Sequence, residues 1–152
     1  MRLLALVAAV SVSGCNYMRH PSEATTWGQP TGTMVLGLEA RGAVINAFLQ
    51  NRGRQPQRII ARGITLKIQR TTEAGPTGEV TEVHDFAGPT RLDREETFET
   101  LKPGESLATP IPIEKRPAGK YQVTASYSSL TAKQGDWWGG TLTAGPIMLE
   151  IQ

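Results

Sequence analysis

The sequence predicts an all-β domain, an antiparallel β-sandwich of about seven or eight strands, and three observations support this fold class. Apolar and polar residues alternate with a period of two in several stretches, which is typical of half-buried strands. Turn-forming pairs rich in glycine and proline separate these stretches at roughly ten to twenty residues, as in sandwiches. No stretch carries a convincing amphipathic helix pattern. An open barrel is the alternative architecture.

Each predicted strand rests on its own pattern. Residues 34–40 and 43–50 are apolar but mixed, and Arg41-Gly42 separates them as a turn. Val80 and Val83 indicate a short further strand. Strict alternation predicts the remaining strands at 64–68, 121–127 and 147–151.

The strand that contains Leu107, Ile111 and Ile113 carries Pro110 and Pro112 on its other face. Proline has no N–H group, so two prolines at i and i+2 remove two ladder donors on one side. We therefore expect this strand at the edge of a sheet.

An arginine-led apolar run begins the chain and ends at the single cysteine, Cys15. A positive residue followed by about ten apolar residues is typical of a secretory signal. At ~1.5 Å per residue the run forms a helix of roughly 15 Å, which is too short to span a bilayer. The stretch Val12-Ser13-Gly14-Cys15 resembles the lipobox of bacterial lipoproteins. The resemblance implies that Cys15 is acylated (palmitate being a typical chain) and becomes the first residue; a plain cleaved signal peptide is the alternative.

These boundaries predict a lipoprotein signal peptide over 1–14, a lipidated cysteine with a flexible tether over 15–33, and the sandwich over 34–152. Residues 16–33 are rich in small and polar residues and lack apolar periodicity. A tether of that length spans roughly 25 Å on average and at most about 60 Å. Asn16 follows the cysteine in place of the aspartate associated with inner-membrane retention. We expect the protein in the bacterial cell envelope, at the outer membrane and facing the periplasm.

Two turn motifs carry a second resemblance. Asn51-Arg52-Gly53 ends one strand, and Leu101-Lys102-Pro103-Gly104 precedes another, followed by Gly119-Lys120-Tyr121-Gln122-Val123. The motifs are similar to those of immunoglobulin-like and fibronectin-like bacterial envelope domains and of BsuPI-type proteinase inhibitors. The resemblance covers roughly residues 43–128 and implies an immunoglobulin-like sandwich. Since the motifs mostly encode turns, it implies the fold and not inhibitory activity.

Patterns for catalysis are scarce. His84 with Asp85 or Glu82 is the only starting point for an active site, and the adjacent His84 and Asp85 would point to opposite faces of a strand. Acylation consumes the thiol, and no Gly-x-Ser-x-Gly motif appears. The acidic residues between Asp93 and Glu99 lack the spacing of a calcium loop and are expected to be solvated. We predict that the protein is not an enzyme and that it binds no metal and no cofactor.

Two groups of residues are candidates for binding a partner. Between residues 41 and 70 the chain has only basic charged residues, among them Arg52, Arg54 and Arg58, whereas 73–114 is strongly acidic. The basic half can attract an anionic headgroup or polymer; the favoured alternative is cross-strand pairing of opposite charges, at ~0.2–1 kcal/mol each. Trp137 and Trp138 are the second group, because an exposed indole is a frequent binding hot spot. Alternatively, one of them caps the end of the sandwich.

The sequence therefore predicts a lipoprotein held at the membrane through Cys15 that acts as a non-catalytic binding or scaffolding module. Its expected partner is an envelope protein or a cell-wall glycan, and nucleic acid is not expected in this compartment. The alternative is an inhibitor or accessory subunit of an envelope peptidase or secretion machine. That alternative predicts a protruding loop, at 72–78 or around Trp137.

Overall fold

Ten strands make up the regular structure of the protein in a computed structural model, which describes residues 20–60, 63–84, 98–113, 116–129 and 138–152. In chain order they are β1 (Thr26–Trp27), β2 (Met34–Arg41), β3 (Val44–Asn51), β4 (Gln57–Ile60), β5 (Ile64–Thr72), β6 (Gly75–His84), β7 (Phe98–Leu101), β8 (Ser106–Pro112), β9 (Gly119–Ser129) and β10 (Gly140–Ile151).

The strands form two four-stranded antiparallel sheets, ordered β1-β2-β3-β8 and β10-β9-β5-β6, and a small β4-β7 ribbon. A single apolar cluster takes residues from both large sheets and from the ribbon, including Leu36, Leu66, Val123 and Ile59. The two sheets thus pack face to face around this cluster. Alternate burial holds for β5, β9 and β10, whereas β2 and β3 are buried on both faces. The predicted β-sandwich is confirmed, with more strands than the seven or eight expected.

The two ends of the sandwich are named by Arg41 of β2 and Asn51 of β3. The Arg41 end contains the turn between β2 and β3, the start of β9 at Gly119 and the end of β10 at Ile151, which pairs with Gly119. The Asn51 end contains the start of β2 at Met34, which pairs with Asn51. At ~3.4 Å per residue, the eight residues of β2 separate the two ends by about 25 Å.

Strand β8 lies at the edge of its sheet, as the prolines predict. The Ile113 N–H donates to the Ala43 carbonyl at 2.9 Å, so odd-numbered residues of this segment bond towards β3. The N atoms of Pro110 and Pro112 therefore point away from β3, where a further strand would need donors. The exposed prolines make this edge unsuitable for pairing.

The predicted tether over 15–33 differs from the structure in the part that is described. Residues 20–33, which we call the N-terminal strap, run antiparallel to β2 along its outer edge. Thr26 pairs with Leu38 and Trp27 with Gly37, and the Gly28 N–H donates to the Leu36 carbonyl. The strap begins at the Arg41 end and reaches the Asn51 end, so it is part of the fold.

The segment 72–78 also differs from the expected protruding loop. β5 and β6 join in a tight hairpin in which Thr72 pairs with Gly75, and β6 is already continuous from Gly75. Gly75 and Gly78 have positive φ angles of 110° and 63°, which glycine adopts at little cost. The strand expected around Val80 and Val83 is confirmed but is ten residues long.

Candidate functional site

Asn51 organises the end of the sandwich that carries the candidate residues. Its side chain is fully buried and donates to the carbonyls of Gln55 and Leu101, at 2.8 and 2.9 Å. Its Oδ1 accepts from the Gly53 N–H at 2.9 Å, and its carbonyl accepts from the Gly104 N–H at 2.7 Å. The two turn motifs of the sequence therefore meet at one buried amide, which holds the loop that carries Arg52 and Arg54.

Arg52 is exposed and lies against the N-terminal strap. Its guanidinium carbon is 4.6 Å from the centre of the Trp27 ring, within the range of a cation–π contact. Its Nε donates to Gln50 at 3.0 Å and its backbone N–H to the Thr33 carbonyl at 2.7 Å. The arginine is thus held in one orientation with its outer face open to solvent.

Trp27 lies in the segment that the sequence assigns to the tether, and only the structure adds it to the candidate residues. Its ring lies 6.5 Å from that of the buried Phe48. A methyl group added at Gly37 would lie 2.6 Å from the Trp27 ring, so the indole occupies the space that a side chain would take. A glycine inside an otherwise apolar strand indicates such a close approach, and this signal could have located the ring.

Trp138 is half-buried and caps the core at the Asn51 end. Its ring stacks on Tyr127, with centroids 6.0 Å apart and planes at 26°. Its Nε1 donates to the Thr31 carbonyl at 3.2 Å and its backbone N–H to the Arg58 carbonyl at 2.7 Å. Burial raises the pKa of Tyr127 to about 12, although its hydroxyl donates to the Ile60 carbonyl at 2.6 Å. Trp138 therefore fits the alternative in which one tryptophan caps the end of the sandwich, and it is not a fully exposed indole.

The structure brings together candidates that come from separate parts of the sequence. Arg52 contacts the strap at Thr33 and Trp27, and Trp138 contacts it at Thr31 and bonds to Arg58. We call Trp27, Arg52, Arg54, Arg58 and Trp138 the Asn51-end surface. Arg54 and Arg58 are exposed on the loop before β4 and on β4 itself. Half-buried indoles beside exposed guanidinium groups can bind an anionic or aromatic partner.

A separate group of polar residues fastens the strap at the Arg41 end. Glu39 is buried and accepts hydrogen bonds from the Thr25 hydroxyl at 3.0 Å and the Ser22 N–H at 3.3 Å. It also forms a salt bridge with Arg41. The Arg41 guanidinium, aided by the bonds from Ser22 and Thr25, lowers the pKa of Glu39 to about 2 against the opposing effect of burial. Glu39 is therefore charged at neutral pH and holds the first residues of the strap.

The outer face of the β10-β9-β5-β6 sheet is a second polar surface. Thr143, Ser126 and Thr65 lie side by side in the register of three strands. With Lys67 and Thr124 they line a shallow depression of about 420 Å³. Hydroxyl groups at strand spacing offer both donors and acceptors to a polyol.

A cross-strand ion pair links the basic and acidic parts of the sequence. Lys67 on β5 and Glu79 on β6 lie 2.8 Å apart, and each side chain is 47% exposed. Such an exposed pair contributes roughly 0.2–1 kcal/mol. This contact joins the basic and acidic halves as the favoured alternative predicts.

Several predicted features lie outside the described residues. These are Cys15 with its signal peptide, Trp137, Asp85 and most of the acidic group before Glu99. His84 ends β6, where it pairs with Ile64. Among the residues that the structure describes, no three histidine, cysteine or acidic side chains gather as metal ligands do. In the same residues, no helix has the length and apolar character needed to cross a membrane.

Comparison with known proteins gives no match to a family model, to a curated protein or to a solved structure.

Proposed function

We propose that the protein is a lipid-anchored lipoprotein of the bacterial envelope whose immunoglobulin-like sandwich binds or scaffolds a partner through the Asn51-end surface. The proposal depends on one observation: Arg52 and Trp138 both contact the strap that contains Trp27. Side chains that are held in place before a partner arrives lose less conformational entropy on binding. The lipobox resemblance of residues 12–15 supports the anchor.

The chemistry of the surface supports an anionic or aromatic-rich partner. Arginine and tryptophan are the residues most enriched at binding hot spots. In this protein the Trp27 ring already packs against Phe48 and the Trp138 Nε1 is already hydrogen-bonded to Thr31, so binding would immobilise few additional side chains. An envelope protein with acidic residues fits this surface, and a cell-wall glycan fits the hydroxyl-lined face of the other sheet.

A crosslinking pull-down from cell envelopes tests the proposal. The variants are Arg54→Glu, which changes an exposed side chain, and Trp138→Phe, which keeps the stacking on Tyr127 but removes the bond to Thr31. Lys120→Glu is the matched control, because Lys120 is exposed at the opposite end. We expect the first two variants to lose the crosslinked partner and the control to retain it. Retention by all three would contradict a role for the Asn51-end surface.

Two further measurements separate the parts of the proposal. Mass spectrometry of the protein from membranes should find an acylated Cys15, and an unmodified terminus would remove the anchor. Sedimentation with insoluble cell-wall glycan distinguishes the partners. Binding that is lost in Lys67→Glu and kept in Arg54→Glu would assign the glycan to the outer sheet face and not to the Asn51 end.

A further inference from the structure

The two halves of strand β10 differ along the edge that faces away from β9. Beside the first half runs the N-terminal strap, where the Thr31 hydroxyl donates to the Thr141 carbonyl at 3.0 Å. A Cβ added at Gly28 of the strap would lie 1.7 Å from the Thr143 carbonyl oxygen. The carbonyls of Thr141 and Thr143 therefore point outward, and the strap covers this half of the edge.

The second half of β10 presents main-chain groups on the same outward side. Along an antiparallel strand these groups point alternately to one side and to the other. The register with β9 gains one extra residue between Ala144 and Ile147, so the alternation shifts there by one position. Ile147 and Leu149 then bond to β9. The N–H and C=O groups of Met148 and Glu150 therefore point away from β9.

This second half of the edge is open in the described part of the chain. Met148 is 54% exposed, and no other large apolar side chain in the described ranges is exposed to that degree. Glu150 is exposed as well. Main-chain hydrogen bonds outside the strand ladders, among the described residues, include none to Met148 or Glu150. The donors and acceptors of both residues are therefore available to a further strand.

The other edges of the two large sheets carry features that oppose pairing. β8 has Pro110 and Pro112, β2 is paired with the strap, and β6 has a bulge at Gly78. Prolines, bulges and covering segments are common means by which edge strands avoid a further strand. Residues 147–151 contain no proline and pair with β9 without a register shift. This stretch is therefore the part of the sheet edges best suited to pairing among the described residues.

A second copy of the same strand fits this edge in one antiparallel register. If Met148 lay opposite its own copy, Pro146 would stand opposite Glu150 and would have no N–H to donate. If Glu150 lay opposite its own copy, two like charges would meet. With Met148 opposite Glu150 of the second copy, both residues exchange both of their main-chain hydrogen bonds in two equivalent pairs. The charge of Glu150 is then offset by Lys120, which lies opposite it in the β9 register of its own chain.

We propose that β10 pairs with β10 of a second copy of this chain along residues 147–151, with Met148 opposite Glu150. The pairing is isologous and joins the two β10-β9-β5-β6 sheets into one continuous sheet. β10 runs from the Asn51 end at Gly140 to the Arg41 end at Ile151, so the two Asn51-end surfaces point in opposite directions. The inference goes beyond the proposed function and does not depend on the lipid anchor.

Disulfide trapping tests the pairing in a soluble form of the protein that begins at Asn16. This form contains the ten strands and the apolar cluster, and it has no cysteine. The contact is short, so dilute protein stays largely monomeric and the experiment uses a concentrated solution. Met148→Cys and Glu150→Cys each introduce one exposed thiol.

The distances across the pair predict which disulfide forms. Directly opposed residues have Cα atoms about 5.5 Å apart, which suits a disulfide, whereas the two copies of position 148 lie diagonally at about 7–8 Å. In an equimolar mixture of Met148→Cys and Glu150→Cys we expect the mixed disulfide to form severalfold faster than either homodimer. Thr141→Cys is the spatial control, because the strap covers the edge there, and it should trap no dimer above random collision.

Two matched variants of the Glu150→Cys protein test the main-chain part of the contact. Met148→Pro removes an outward N–H that β9 does not use, so the sandwich keeps its ladder. Met148→Ala removes the side chain and keeps the N–H. We expect trapping by Met148→Cys to fall severalfold with the proline variant and much less with the alanine variant, while urea unfolding verifies that both are folded.

Three results would overturn the proposal. A mixed disulfide that forms no faster than the homodimers or the Thr141→Cys product would show random collision. A dominant disulfide between two copies of position 148 would show a different register. Trapping that is equally strong with Met148→Pro and with Met148→Ala would show that the main chain of β10 does not pair.

Discussion

The buried amide of Asn51 provides the most direct test of how the Asn51 end is built. Asn51→Ala removes three hydrogen bonds, two donated by Nδ2 and one accepted by Oδ1, at 2.8–2.9 Å. Each contributes about 1 kcal/mol net, and a buried group left without a partner adds a penalty. Because Asn51 is fully buried, water cannot replace these bonds without a rearrangement. We expect the free energy of unfolding to fall by about 3–4 kcal/mol.

Equilibrium unfolding in urea measures this loss in a soluble form of the protein that begins at Asn16. The midpoint of thermal unfolding should fall by roughly 10 °C, given ~2–8 °C per kcal/mol for domains of this size range. Asn51→Asp should cost at least as much, since a carboxylate oxygen would face the carbonyls of Gln55 and Leu101.

Gln50→Ala is the matched control for the Asn51 variants. Gln50 is the neighbouring residue and makes one exposed hydrogen bond to Arg52 at 3.0 Å. Its loss should change the free energy of unfolding by no more than about 0.5 kcal/mol. If Asn51→Ala cost as little as the control, the reasoning about this buried amide would be refuted.

Three further predictions concern the strap and the sheet edge. Glu39→Gln should remove a pH dependence of stability. The folded-state pKa of about 2 lies below the ordinary value of 4.5, so the charged carboxylate stabilises the fold above pH ~4.5 and this stability is lost as the pH falls towards 2. Urea unfolding across that interval should show a free energy of unfolding that falls with pH in the wild type and not in the variant. Gly37→Ala should displace the Trp27 ring, lower the free energy of unfolding by about 1–3 kcal/mol and shift tryptophan fluorescence, whereas the exposed Ala40→Ser should do neither. Replacement of both Pro110 and Pro112 by threonine should restore two donors at the free edge of β8 and raise self-association in sedimentation experiments; a variant that stays as monomeric as the wild type would show that the prolines do not protect this edge.

Local patterns predicted most of the strands. Alternation placed β5, β9 and β10, because the period of two depends only on which face of a single strand is buried. The position of β8 at an edge followed from Pro110 and Pro112, whose missing donors are a property of the residues themselves. The turn glycines could also be predicted, because glycine adopts positive φ angles more readily than other residues. The site of acylation at Cys15 remains a prediction from the sequence.

Contacts between distant residues decided the rest. The strap looked like a tether because its residues lack periodicity, yet Trp27 sits over Gly37 and Gly28 lies against the Thr143 carbonyl of β10. The strap is stabilised by surfaces that exist only once β2 and β10 have formed, so no pattern within residues 20–33 indicates it. The same holds for the surface around Arg52 and Trp138, which are far apart in the chain and meet through Thr31 and Thr33. Local backbone preferences set the strands and turns. The packing of the two sheets determined which side chains share a surface and placed the strap along the edge of β2.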